Sequence, residues 1–217
     1  GVLKVSKKNN MVDFFDMKGS TILLEEKDLG IFNGIITVNV PYTQALAVKG
    51  MWAPPYLSSD FLCEVRLFGE TVKAKKYTWS PRQVSRIGSI KQIKIQSTLT
   101  LAKDNRAAVL AFTLTNQTKK TVTVPLSLNL LGTFAYNKVW NFFKQYSEPV
   151  FTDPYNYSRR AVFCEKDGCI VWSNDAGAVV IKADIKGIAG DGYCPRWNAK
   201  TILKPKQTRT FYISIAM

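Results

Sequence analysis

The sequence has no histidine among its 217 residues. That excludes a Ser-His-Asp triad, a Cys-His pair and any histidine-ligated zinc site within this chain. Carboxylates are scarce beside cations, 16 Asp and Glu against 30 Lys and Arg. None of the sixteen sits in a recognisable acid/base motif, so no catalytic residue is assigned. The four cysteines, Cys63, Cys164, Cys169 and Cys194, lack the CxxC spacing of a metal or redox centre. No metal site and no cofactor is expected. No apolar run approaches the roughly 18–20 residues needed to cross a bilayer as a helix, and no N-terminal leader pattern is present. Gly1 before Val2 leaves room for a leader already removed, which favours export slightly.

What is present reads as sheet. From Ile93 to Leu130 three segments alternate apolar and polar residues with period two, the mark of strands buried on one face. Ile93, Ile95, Leu99 and Leu101 form the first apolar row, with Ser97 among them; Leu110, Phe112 and Leu114 form the second; Val122 to Leu130 the third. Short polar clusters, Lys103 to Arg106 and Asn116 to Lys120, reverse the chain between them. Further turns are expected at Asn33-Gly34 and Phe68-Gly69-Glu70. The expected fold is all-β, a two-sheet antiparallel β-sandwich with at most a short helix. That helix would fall near Trp140, where Val139, Phe142, Phe143 and Tyr146 share one helical face. No linker divides the chain, so residues 1–217 are read as a single domain.

Glu165 to Gly168 make a four-residue hairpin loop that would set Cys164 against Cys169. A disulfide and two reduced, buried thiols are both open at this stage. Aromatic residues concentrate in irregular stretches: Trp52 and Tyr56 around the Pro54-Pro55 pair, Trp140 and Tyr155 in the Phe134–Tyr157 segment, and Trp197 after Asp191-Gly192. Proline-fixed loops present aromatic rings at low entropic cost, so these five are the candidate ligand-facing or domain-facing residues.

The net charge of +14 is uneven. Between Thr71 and Ser147 there are thirteen Lys or Arg and one acid, Asp104. Such a field attracts polyanions, an acidic protein surface or nothing specific at all. Nucleic acid is the disfavoured partner, because no nucleic-acid motif accompanies the charge.

Trp79-Ser80-Pro81 with Val84 and Arg86, Leu99-Thr100-Leu101, Arg106 to Leu110 and Phe112 to Asn116 follow an order similar to one known family. They resemble the N-terminal supersandwich domain, galactose-mutarotase-like in fold, of glycoside hydrolases with an (α/α)6-barrel catalytic unit, glucosidase and debranching enzymes included. Leu203-Lys204-Pro205 and Arg209 to Tyr212 resemble the end of that domain, where a Pro-Gly turn is usual; here Lys206 holds the glycine position. The resemblance spans roughly Leu46 to Met217. It implies a non-catalytic module supporting a C-terminal catalytic domain that this chain lacks, with a loop lent to the substrate cleft and carbohydrate as ligand. It also implies that the chain is a piece of a longer protein. The alternative is a stand-alone binder of anionic polysaccharide or nucleic acid through residues 71–147.

Overall fold

The computed structural model describes residues 17–19, 28–54, 56–58, 61–130, 134–136, 157–158, 162–164, 167–175, 177–185 and 195–217. Among them every regular element is a strand, and all of these strands pair antiparallel. The all-β expectation holds. The helix expected near Trp140 lies outside the described residues, as do Trp140 and Tyr155 themselves.

The largest sheet has nine strands. Its centre is the expected meander: β9 (Ala74–Ser80), β10 (Gln83–Ile90), β11 (Ile93–Leu101) and β12 (Ala107–Asn116). β1 (Met17–Gly19) flanks β9, while on the other side β20 (Thr208–Ala216) separates β12 from β18 (Gly177–Ala183), β17 (Cys169–Asn174) and β16 (Val162–Cys164). The second sheet runs β19 (Arg196–Leu203), β13 (Val122–Leu130), β7 (Phe61–Leu67) and β4 (Ala47–Lys49), with β8 (Glu70–Thr71) folded back on β7. A third, six-stranded sheet goes beyond the two expected. It orders β15 (Tyr157–Ser158), β14 (Phe134–Tyr136), β6 (Tyr56–Ser58), β5 (Met51–Ala53), β3 (Thr37–Pro41) and β2 (Asp28–Phe32). Met51–Ala53 and Tyr56–Ser58 are therefore paired strands rather than a free loop.

Alternation builds the core. On the large sheet Val84, Leu99, Leu110 and Ile213 fall in one cross-strand row, all buried. On the second sheet Val65, Leu128 and Trp197 do the same. These rows belong to one hydrophobic cluster, in which Phe112 and Phe211 stack with centroids 5.2 Å apart.

Two polar side chains enter this core from the large sheet. Arg86, fully buried, donates through Nη1 to the carbonyls of Pro41 (3.1 Å), Gln44 (2.7 Å) and Ala47 (2.7 Å). Ser97, its cross-strand neighbour, donates to the carbonyl of Ala45. Together they clamp the 41–47 connection by giving four of its backbone carbonyls a buried side-chain donor. The serine that interrupts an apolar row is thus a clasp.

Candidate functional site

The site is built on the third sheet. Phe32 pairs with Thr37, Thr37 with Trp52, and Trp52 with Leu57, so these four residues form one cross-strand row on one face. Their inward-facing neighbours Ile31, Val38, Met51 and Ala53 are buried. The row itself is open: Phe32 is 55% exposed and Trp52 42%. Ile35, in the β2–β3 turn, adds a further exposed apolar side chain. At a strand spacing of about 4.8 Å, the two aromatic positions lie about 10 Å apart on a flat strip.

Local structure holds the strip in place. Asn33 accepts at Oδ1 from the amides of Ile35 and Ile36, both 2.9 Å, and closes the turn. Its Nδ2 donates to the carbonyls of Ala102 (2.7 Å) and Asn105 (3.0 Å) on the β11–β12 turn. Gly34 takes the positive φ of 95° that the turn requires. Phe32 N donates to Pro81 O at 2.6 Å, and Trp79 Nε1 to Gly30 O at 2.9 Å. The strip is thus braced against the meander along the edge of β2 that faces away from β3, and at the β2–β3 turn.

The five expected aromatics do not form one surface. Trp52 is exposed on the strip. Tyr56, paired with Ala53, lies on the opposite face of the same strand pair, stacked on buried Phe134 with centroids 5.7 Å apart and the Arg106 guanidinium 5.3 Å above its ring. Trp197 is 6% exposed and part of the core. Its expected loop is strand β19, whose alternation sends Arg196, Asn198, Lys200 and Ile202 outward and the indole in, which corrects the reading of Trp197 as a presented residue. Phe32 was missed. Its signal was phase: it stands next to the buried Ile31, one step out of the apolar alternation.

A second polar feature lies on the outer face of the five-stranded sheet. Glu64, 4% exposed, is the one buried carboxylate among the described residues. It accepts from Arg66 Nε at 2.8 Å and from Thr71 Oγ1. Its cross-strand neighbour Asn129 has a solvent-excluded Nδ2 without a hydrogen-bond partner, and Arg196 follows in the same row. With the carboxylate engaged and the amide shut off from solvent, this row is part of the packing between strands rather than an open ligand surface. It does not provide the second carboxylate that glycoside hydrolysis requires at roughly 5–10 Å. Among the described residues, no cluster of three or more Cys, Asp or Glu could hold a metal ion. No described helix is long and apolar enough to cross a membrane. Cys164 and Cys169 are direct cross-strand partners, as the hairpin reading expected, and both are thiols.

The sequence matches no protein-family model and no curated protein. Solved structures do resemble it. A candidate aldose 1-epimerase from Escherichia coli K12 superposes with TM-score 0.50 at 10% identity, covering 88% of this chain and 99% of that one. A protein of Synechocystis sp. PCC 6803 reaches TM-score 0.55 at 6% identity, covering 88% and 96%. The fold is the galactose-mutarotase-like sandwich. A candidate kojibiose phosphorylase from the human microbiome is also similar, at TM-score 0.48 and 12% identity, with 86% of this chain matched to 29% of that one.

Proposed function

We propose that this mutarotase-like sandwich is a non-catalytic module of a carbohydrate-active enzyme of the glycoside hydrolase type, and that it docks its catalytic partner through the Phe32–Trp52 strip. The exposed aromatic strip carries the reading. Apolar surface of this kind, held flat and braced by Asn33, is the sort of patch that proteins cover with a partner. Support for the carbohydrate context comes from the fold and from the name of the Escherichia coli neighbour. Support for a non-catalytic role comes from the missing histidine and from Glu64, the one buried carboxylate among the described residues, already engaged by Arg66 and Thr71.

The test is direct. The purified chain is incubated with a panel of aryl glycosides and with pure anomers of free aldoses, and Trp fluorescence is followed during titration with neutral oligosaccharides and with an (α/α)6-barrel catalytic domain in trans. The expected result is no turnover, together with binding of the domain that Trp52→Ala and Phe32→Ala each weaken by at least about tenfold while melting temperature stays unchanged. Turnover that Glu64→Gln abolishes would overturn the non-catalytic reading. Tight oligosaccharide binding quenched at Trp52, with no binding of the domain, would make the strip a sugar platform instead.

A further inference from the structure

At the end of the long strands opposite the aromatic strip, three turns that are distant in sequence lie side by side. Gln117 N donates to Gln92 O at 3.0 Å, joining the β12–β13 turn to the β10–β11 turn. Lys206 N donates to Asn116 O and Asn116 N to Gln207 O, each 3.0 Å, joining the β19–β20 turn to the same point. Asn116 is the weld. Fully buried, its Nδ2 donates to the carbonyls of Lys120 (2.7 Å), Leu203 (3.0 Å) and Lys204 (3.2 Å), and its Oδ1 accepts from Thr118 N at 2.9 Å.

The consequence is electrostatic. The weld brings Lys91, Lys94, Lys119, Lys120, Lys204 and Lys206 to one rim, all exposed except the half-buried Lys94. Two of them lie outside the basic segment that the sequence marks, and only the topology adds them. Among the described residues the ion-paired carboxylate at this rim is Glu70, 3.3 Å from Lys91, with both side chains more than half exposed.

A second, independent observation is conformational. Lys91 (φ 45°), Gln92 (φ 63°) and Lys206 (φ 60°) all adopt left-handed backbone, where glycine or asparagine sits at lower cost. The chain places lysine at two of these three strained positions, both on the rim. Strain kept in favour of a charged side chain points to a role for the charge.

We propose that this rim is a docking surface for a linear anionic polysaccharide bearing about one carboxylate per sugar ring. The turns that carry the lysines close the neighbouring strands β11, β12 and β20, which lie about 4.8 Å apart, whereas duplex DNA carries a charge about every 1.7 Å. The rim therefore matches a sparser polyanion. Its cations are lysines, point charges without the planar fork that reads phosphate or guanine. The ring at this end, Phe68, is covered by Lys91 Nζ 4.7 Å from its centroid, so it offers no open stacking platform for bases. The proposal does not depend on the module reading, because the strip and the rim lie at opposite ends of β11 and are altered by different substitutions.

The experiment uses polygalacturonate as probe, with dextran and duplex DNA as comparisons, at 50 and 200 mM salt. A rim variant, Lys119→Gln with Lys120→Gln and Lys204→Gln, is matched by one of equal charge change at the other end or on the outer sheet face, Arg82→Gln with Lys103→Gln and Lys182→Gln. We expect polygalacturonate to bind at low salt, to weaken as salt rises, and to lose roughly tenfold in affinity in the rim variant only. Equal losses in both variants would reduce the effect to net charge and overturn the proposal. So would tighter binding of DNA, binding of dextran that salt leaves unchanged, or no binding of polygalacturonate. If the triple variant fails to fold, the single Lys120→Glu and the salt dependence of the unaltered chain carry the same decision.

Discussion

Arg86 and Cys63 show how single buried groups set opposite responses to pH. Burial pushes the Cys63 thiol from 9.0 up to about 12, although the nearby Arg86 charge works the other way. Burial lowers Arg86 from 12.5 to about 9, against the influence of Cys63. A raised folded-state value for the thiol means that its contribution is whole below about pH 9 and is lost as pH climbs toward 12. A lowered value for the guanidinium has the reverse sign, stabilising progressively from about pH 9 upward. The two oppose each other in the unaltered protein, and Cys63→Ala removes the thiol together with its influence on Arg86. Under reducing conditions, the stability advantage of the unaltered chain over that variant should shrink by roughly 1 kcal/mol between pH 8 and pH 10. Urea midpoints at the two pH values measure it, and a constant difference would refute the assignment. Lys206 gives the other prediction at this scale. Lys206→Gly relieves its left-handed backbone but frees the unfolded chain, for a net gain of about 0.5 kcal/mol by chemical denaturation. Affinity for polygalacturonate should fall at the same time, a divergence that a purely structural turn would not produce.

At the scale of elements, period-two alternation made the meander legible down to its rows. β11 and β12 appear with the faces that Ile93–Leu101 and Leu110–Leu114 assigned to them. Turn chemistry also showed: Phe68-Gly69 takes positive φ at both positions, as a tight hairpin demands. Other features could not be read locally. Trp197 follows a glycine-rich stretch that suggested a loop, and only its pairing with Leu128 reveals which way it points. Gly88 looks like an ordinary strand glycine, yet a Cβ there would lie 2.4 Å from Lys73 O, where the β9–β10 register shifts. The aromatic strip needed Phe32 and Trp52 to meet across β3, and the lysine rim needed β20 beside β12. Asn116 ended a recognisable strand, but its hold on three carbonyls is a tertiary fact. Asn116→Ala should therefore cost about 1–3 kcal/mol: buried Leu203 O loses its side-chain donor and Thr118 N its acceptor, while Lys120 O keeps Thr118 Oγ1 and Lys204 O keeps Gln207 N. Thermal and urea unfolding check this, and a loss below about 0.5 kcal/mol would show that the turns hold together without it.

For the whole molecule, the order of strands in the largest sheet governs how the fold can be reached. β20 follows every other strand in sequence, yet it lies between β12 and β18 with hydrogen bonds to both. The β1–β9–β10–β11–β12 block and the β16–β17–β18 block therefore remain two separate half-sheets until the last strand enters between them. Until then each half presents a bare inner edge, the kind of unpaired strand that invites pairing with another chain. The final strand acts as a keystone: the pairings that join the halves are long-range contacts, which close slowly. A nascent or truncated chain ending before Thr208 would have every side chain of the meander core and still lack a closed sheet. Assembly of this sandwich, and its exposure to aggregation or chaperone capture, is thus timed by the arrival of nine residues.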